Sequence, residues 1–396
     1  MISTMIGAVL TASLMQPTPP ATREERLFEA IAAQIGDRRL VALGEASHGD
    51  GSTFAFKVRL IDYLVRHHGY DVLAFESGFW SLAEAQDAVD GGAAASSELR
   101  SAIFPLWARA EQFAPLYDLL DTLQAEGQAP TLAGFDFQPT GADKTKVVET
   151  LRTLASQIGP EGEAVGRLAD AMADLVERKS EAFSDLDLDA LGRDRRDAVA
   201  ALERSGHARA PIDIRLVDSV GRFLRFAKLL SGGPQDVSGD ELNVRDEVMA
   251  ANMEALALGP LRDRKIILWG ATSHFLKDRA AIDVQSDAGM IPMGAHLASS
   301  TLADDYYVLG FSALFGQVGS MRSGSFDLPV ADDDTIEARL LAANPEADVA
   351  FVSLPCGGER QKVRALGHAQ WTGDWGCAID GLIVFREMEP TRYPAP

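Results

Sequence analysis

Four polar segments each follow an apolar run of the sequence, and together they carry the residue types of acid–base chemistry. The segments are Gly44–Gly49, Glu76–Gly78, Asp136–Gln138 and Gly270–His274. Their titratable residues are Glu45, His48, Glu76, Asp136 and His274. A neutral imidazole can take a proton from water, and a neighbouring carboxylate can fix its tautomer and stabilise the imidazolium. This set therefore suits hydrolysis by an activated water molecule.

The sequence lacks the motifs of several other catalytic mechanisms. The chain has no G-x-S-x-G nucleophile elbow and no H-E-x-x-H, C-x-x-C or P-loop pattern. Histidines and carboxylates could also bind a metal, but no local pair of ligands, such as two histidines four apart, is present. We therefore predict neither a metal nor a cofactor, with a metal-dependent hydrolase as an open alternative.

Hydrolysis also needs donors for the oxyanion that forms on the carbonyl. Three cations are candidates: Lys57 and Arg59, on a helix that Ser52-Thr53 is expected to cap, and Arg245. We predict that they bind the substrate.

Seven apolar runs predict the strands that must position these residues. They are Leu40–Leu43, Val72–Phe75, Thr131–Phe135, Ile266–Trp269, Tyr306–Phe311, Val349–Leu354 and Leu382–Phe385. Continuous apolar strands separated by helical stretches indicate an α/β fold with a parallel or mixed central sheet covered by helices. Ligands bind beyond the carboxyl ends of such strands, so the four polar segments are expected to meet at one edge.

A helical insertion is predicted at about residues 144–259. Apolar residues there keep helical spacing, as in Val147, Leu151, Leu154 and Ile158. We expect an all-helical cap subdomain within one α/β domain that spans residues 23–396.

We expect residues 1–22 to be a signal peptide or a disordered leader. The apolar run Met5–Met15 followed by prolines favours a signal peptide, whereas the absence of a basic residue before the run disfavours one. Cytoplasmic and periplasmic locations both stay open, and the run is too short to span a bilayer. Cys356 and Cys377 fit either a disulfide or two separate thiols.

The net charge of the chain restricts the classes of molecule that it is expected to bind. The 396 residues include 58 acidic and 37 basic side chains, for a net charge of −21. This sign disfavours nucleic acid and anionic membranes as partners, and we expect a small-molecule substrate instead.

The sequence resembles the erythromycin esterase family from about residue 24 to the end. Gly44–Gly49 resembles the signature G-E-A-T-H-G, and further blocks agree in order and spacing. These blocks are Phe54–Val65, Ala74–Phe79, Trp107 with Glu111, Gly134–Gln138, Arg245-Asp246 with Met249 and Asn252, Trp269–His274, Met293-Gly294 with His296, Tyr307–Phe311, and Asp380–Phe385.

The resemblance implies metal-independent hydrolysis of a macrolide lactone ester. His48 would be the general base, and Glu45 and Glu76 would orient it or the water. His274 and Arg245 would hold the carbonyl and its developing charge. Asp136 lies in the family's G-F-D-x-Q block and joins the substrate-binding candidates.

Two departures from the family pattern concern the site. Ala271 and Thr272 replace the histidine and asparagine of W-A-H-N-x-H, and Lys57 replaces the first arginine of R-x-R. They motivate a second hypothesis, a binding or accessory protein without catalysis on the same scaffold, beside hydrolysis of another ester.

Overall fold

A computed structural model of the protein describes residues 22–141, 144–177, 185–206, 209–232, 239–284 and 289–394. The predicted leader lies outside these ranges, apart from Thr22.

One large mixed sheet organises the described chain. The described strands are β1 Leu40–Glu45, β2 Val72–Gly78, β3 Thr131–Asp136, β4 Ile266–Ala271, β5 Tyr306–Ser320, β6 Gly324–Leu328, β7 Val349–Ser353, β8 Gln361–Leu366, β9 Ala369–Gly373 and β10 Gly381–Met388. In the large sheet they run in the order β3-β2-β4-β1-β5-β10-β7, with β6 paired to β5, whereas β8 and β9 form a separate hairpin. Neighbouring strands of this sheet are parallel, except that β7 is antiparallel to β10 and β6 is antiparallel to β5. The predicted α/β class is confirmed, and each of the seven apolar runs forms a strand.

The apolar runs are continuous because both faces of the sheet are buried. Successive side chains of a strand point to opposite faces. Val41 and Leu43 pack into one hydrophobic cluster, and Leu40 and Ala42 pack into another. Helices cover both clusters, so no strand position in this part of the sheet is left for a polar side chain until the strand ends.

The helices that surround the sheet are mostly short. They are α1 Arg23–Ile35, α2 Gly51–His68, α3 Phe79–Asp90, α4 Ala95–Ala102, α5 Pro105–Ala108, α6 Pro115–Ala125, α7 Thr145–Ile158, α8 Glu163–Val176, α9 Leu188–Ser205, α10 Ala210–Gly232, α11 Gly239–Leu258, α12 Thr272–Phe275, α13 Met293–Ala298, α14 Ile336–Ala343 and α15 Trp375–Ala378. None of the described helices combines the length and the apolarity that a membrane span requires.

Every described regular element between β3 and β4 is helical. Helices α7 to α10 form a third hydrophobic cluster that includes Val147, Leu151 and Leu168, and Trp80 of α3 joins it. Helix α11 differs, because Met249 and Met253 pack into the cluster on the sheet. The last helix of the stretch therefore belongs to the layer that covers the strands, and this position brings Arg245 to the strand ends.

The segment after β7 carries a covalent link and a tight hairpin. Cys356 and Cys377 form a disulfide with their Cα atoms 4.2 Å apart. Strands β8 and β9 pair antiparallel, and their turn contains Gly367 and His368. The backbone N–H of Gly367 donates to the carbonyl of Ala46 at 2.9 Å, so the hairpin turn reaches the loop after β1.

Candidate active site

The predicted polar residues stand side by side along the carboxyl edge of the sheet. Strands β3, β2, β4 and β1 are consecutive neighbours. Asp136, Glu76 and Glu45 are carried at or near the ends of β3, β2 and β1, and His274 follows β4 on α12. A direct bond joins two of these strands, since the N–H of Ala271 donates to Glu76 Oε2 at 2.9 Å.

Glu45 is the centre of one half of the site. Its side chain is fully buried, and its two oxygens receive three donors. Trp107 Nε1 donates to Oε1 at 2.9 Å, and His48 Nδ1 lies 3.1 Å from the same oxygen. The ammonium of Lys57 donates to Oε2. A buried carboxylate is stabilised when it is paired and hydrogen-bonded in this way, so the three contacts hold the Glu45 side chain in place beside the histidine.

His48 is the member of this group that reaches solvent. Its side chain keeps 42% of its surface accessible. Its ring packs edge to face against the Trp107 ring, with the two ring centres 5.4 Å apart. A carboxylate only accepts, so Nδ1 carries the proton and Nε2 remains a proton acceptor in the neutral ring. Burial lowers the pKa of His48, but the hydrogen bond to Glu45 and the charges of Glu76 and Glu45 outweigh it and raise the pKa.

Lys57 lies beneath the site and does not contact solvent. Its side chain is fully buried, with Nζ 4.6 Å from the centre of the Trp269 ring and 3.3 Å from the carbonyl of Gly270. Burial lowers the pKa of Lys57, and the charge of Glu45 offsets this only in part. Lys57 thus supports Glu45, and it is not placed to contact a substrate directly.

Arg245 joins the carboxylates of the other half. Its Nη2 donates to Glu76 Oε1 at 2.8 Å and to Asp136 Oδ2 at 2.7 Å. Both carboxylates are buried, whereas the arginine side chain is 21% exposed. Burial raises the pKa of Glu76, but the charges of His274 and Arg245 hold it well below its ordinary range. Two carboxylates thus share one guanidinium at the carboxyl edge of the sheet.

His274 is held as a cation in this second half. Its Nδ1 lies 2.7 Å from Asp246 Oδ1, and its Nε2 lies 3.3 Å from Glu76 Oε1. Burial lowers the pKa of His274, yet the charges of Glu76 and Asp246 prevail and raise it to about 10. The raised pKa favours the imidazolium at neutral pH, although Nε2 also lies 3.2 Å from Arg245 Nη1, whose charge opposes protonation. Of the two histidines, His48 is the one suited to accept a proton.

The residues that depart from the family pattern occupy defined positions. Thr272 is fully buried, and its hydroxyl donates to the carbonyl of Gly44 at 2.5 Å. The backbone is close here, since a Cβ at Gly44 would lie 2.8 Å from Thr272 Cα. Thr272 thus fixes β1 against the start of α12, and Ala271 contributes its backbone N–H to Glu76.

The structure does not bring Arg59 to the site. Residues two apart on a helix point roughly 200° apart around the axis, so Arg59 and Lys57 face different sides of α2. Arg59 Nε donates to Glu24 Oε1 at 2.9 Å, with about half of its side chain exposed. The expectation that Arg59 contacts a substrate lacks geometric support for this reason.

Arg59→Met is accordingly expected to leave kcat/KM within about twofold of the native value and stability within about 1 kcal/mol. The variant loses an exposed ion pair, an exposed hydrogen bond to the carbonyl of Ala55 and a guanidinium contact with the Phe56 ring, all away from the site. Steady-state kinetics and denaturant unfolding measure both quantities. A several-fold rise in KM would instead return Arg59 to the substrate-binding surface.

One group of possible metal ligands occurs among the described residues. Cys356, Asp374 and Cys377 offer ligand atoms within 4.8 Å of one another, and the two thiols are joined in the disulfide. This group lies after β7 and in α15, not on the strand ends that carry His48. The predicted independence from metals stays a prediction for experiment.

Two residues that contact the site, Trp107 and Asp246, were not assigned a role from the sequence. Trp107 matches a family block, but its role as a donor to Glu45 depends on a contact 62 residues away in sequence. Asp246 directly follows Arg245, and its carboxylate also accepts the N–H of Met293 at 2.9 Å. Adjacency to Arg245 was the available signal for Asp246. The family block marks Trp107, but no local pattern indicates its contact with Glu45.

Fold and site together define an α/β protein with an imidazole–carboxylate site at the carboxyl ends of its parallel strands. The family model "Erythromycin esterase" matches residues 65–387, and the chain belongs to this family.

Relatives of this chain are distant. "Putative hydrolase YbfO" of Bacillus subtilis (strain 168) is 24% identical over 281 residues, which cover 66% of this chain and 62% of that protein. "Erythromycin esterase type II" of Escherichia coli is 23% identical over 316 residues, 74% of this chain and 73% of that protein. A solved mutant of the erythromycin esterase EreC in its open conformation has a TM-score of 0.68 at 19% identity, covering 91% of this chain and 94% of that chain. This structural likeness concerns the fold alone.

Proposed function

We propose that the protein hydrolyses a carboxylic ester by means of a water molecule that His48 activates. The observation that carries the proposal is the contact of His48 Nδ1 with the buried Glu45, which leaves Nε2 of a solvent-accessible ring as the base. The family suggests a macrolide lactone ring as the substrate class, and the net charge of −21 would favour macrolides that carry a cationic amino sugar.

The proposed reaction proceeds in two steps. His48 Nε2 takes a proton from water while the water oxygen bonds to the ester carbonyl carbon, which gives a tetrahedral oxyanion. The bond from that carbon to the alkoxy oxygen then breaks, and the leaving alcohol takes the proton from His48. Arg245 and the His274 imidazolium supply positive charge beside the oxyanion, where fixed donors stabilise the transition state.

Product analysis tests this function. The purified chain is incubated with a macrolide panel, simpler lactones and linear esters in isotopically labelled water, and the products are analysed by mass spectrometry. A hydrolysed lactone gains one water, and the label enters the new carboxyl group. Absence of turnover on every ester would overturn the proposal. A parallel sample treated with a chelator tests whether the reaction is independent of metals. Loss of activity in the chelator and its recovery on addition of metal would contradict that independence.

A second candidate function is ligand binding without turnover. It is favoured by the pairing of every cation in the site, since Lys57 contacts Glu45, Arg245 contacts Glu76 and Asp136, and His274 contacts Asp246. Paired cations have less charge to offer an oxyanion. Calorimetry would then show saturable binding of a macrolide without product, and turnover that appears only in Ala271→His would favour this reading.

A further inference from the structure

A buried histidine on the C-terminal hairpin contacts the loop that carries His48. The side chain of His368 is 5% exposed, and its Nε2 lies 2.7 Å from Asp50 Oδ1. Because the carboxylate only accepts, Nε2 carries the proton of this bond. The preceding Gly367 bonds to Ala46 through its backbone. The hairpin turn thus holds the loop on both sides of His48, at Ala46 and at Asp50.

Asp50 connects His368 to the loop that carries His48. Its Oδ2 accepts the N–H of Ser47 at 2.9 Å, and its own N–H donates to the carbonyl of Ser47 at 3.2 Å. Asp50 stands at the N-cap of α2, where an aspartate usually accepts a bond from the first helical turn, but its side chain makes no capping bond. The Asp50 carboxylate therefore bonds to the loop and to His368, and not to the first turn of α2.

The support is rigid, and its backbone is unusual. Among the described residues His368 is the one residue other than glycine with a positive φ, at 57°. Such a conformation persists only where the surroundings fix it, and it is concentrated at functional sites. The buried Arg364 holds the turn, since its Nε donates to the carbonyl of His368 at 3.0 Å and its Nη1 donates to the carbonyls of Leu314 and Pro329.

We propose that His368, acting through Asp50, is a positioning residue for His48. The pair keeps the loop Ala46–Asp50 in the conformation that places His48 Nδ1 on Glu45 and leaves Nε2 as the base. The inference rests on the proposed function, because it assigns the pair to the general base of that reaction. A contact that served folding alone would change stability and leave turnover as it is.

Two substitutions separate positioning from folding. His368→Asn suits the left-handed backbone but is too short to reach Asp50, so it removes the contact and relieves strain. His368→Gln can place its amide nitrogen near the position of Nε2. We expect His368→Asn to lower kcat about 10- to 100-fold. Its melting temperature should also fall, because the buried Asp50 Oδ1 loses its donor, but the variant should stay folded at the assay temperature. KM should stay within about threefold, and His368→Gln should retain most of the native kcat.

A measurement without substrate keeps the inference separate from the proposed function. Nitrogen NMR of histidine-labelled protein, with His48 assigned by the His48→Asn variant, reports its tautomer well above its pKa. We expect one fixed Nδ1–H tautomer in the native chain and a mixture in His368→Asn. An unchanged tautomer in His368→Asn would overturn the inference even if no ester is hydrolysed, and so would native kcat in that variant. If His368→Asn fails to fold, His368→Gly supplies the same test, because glycine adopts this backbone freely.

Discussion

His48→Asn is expected to lower kcat for the proposed ester hydrolysis by about 10²–10⁴-fold, the usual contribution of a positioned general base. The asparagine amide nitrogen can take the place of Nδ1 and keep the donation to Glu45, so the substitution removes Nε2 and little else. KM should change far less than kcat, because the base acts in the transition state and not in substrate binding. Steady-state kinetics on the best ester of the panel gives both constants.

His67→Asn is the matched control for this substitution. His67 is an exposed histidine in the last turn of the same helix that His48 precedes, α2, and its ring packs on Tyr63. Its variant should keep the native kcat. If His48→Asn also retains native turnover while both proteins are folded, His48 is not the base.

The dependence of the native rate on pH follows from the same residue. The base must be neutral, and the pKa of His48 is raised above its ordinary 6.5. Activity is therefore expected to fall as the pH drops through this raised pKa, about tenfold per pH unit below it. An acidic limb well below pH 6.5 in the profile of kcat/KM would contradict the assignment, since a base with a raised pKa is already protonated there.

Strands β1 to β4, the first half of β5, and β10 could be predicted because their burial on both faces leaves a continuous apolar signal. Strands β6, β8 and β9 gave no such signal. Gln361–Leu366 contains two basic residues, and Gly324–Leu328 is exposed over most of its length. These strands form edges or a separate hairpin, where a polar sequence carries no penalty. The sequence of a strand reports the burial of its side chains more than its pairing.

The site was predictable to the extent that strand ends determine it. Glu45, Glu76 and Asp136 end neighbouring parallel strands, so a topological rule brings them together. Lys57 and Arg59 show where the prediction was too coarse, because helical geometry separates side chains two residues apart. The His368–Asp50 contact joins residues 318 positions apart. It follows from tertiary packing, and no local pattern in the sequence indicates it.

Arg245→Met is expected to destabilise the folded protein by about 3–5 kcal/mol, the usual cost of removing one partner from a buried ionic network. Glu76 is 2% exposed and Asp136 is fully buried, so neither carboxylate can recover its lost partner from water. The imidazolium of His274 still lies 3.3 Å from Glu76. Asp136 is therefore the carboxylate whose charge is left without a nearby cation. Denaturant unfolding of the variant and the native chain measures the difference.

Arg66→Met is the control for the loss of an arginine in general. Arg66 pairs with Asp62 and Glu126 on the surface, where all three side chains are well exposed. Its removal should cost at most about 1 kcal/mol, because solvent screens such pairs. Equal costs for Arg245→Met and Arg66→Met would mean that burial does not strengthen the Arg245 network.

The double variant Arg245→Met with Asp136→Asn decides which carboxylate carries the cost. If the uncompensated charge of Asp136 dominates, neutralising it should recover about 1–3 kcal/mol, so that the two substitutions together cost less than their sum. The asparagine side chain in Asp136→Asn would keep an oxygen for the N–H of Gln138, which donates to Asp136 Oδ1 at 3.1 Å in the native chain. Additive costs would place the penalty on Glu76 instead, and His274 would then be too weak a substitute for the guanidinium.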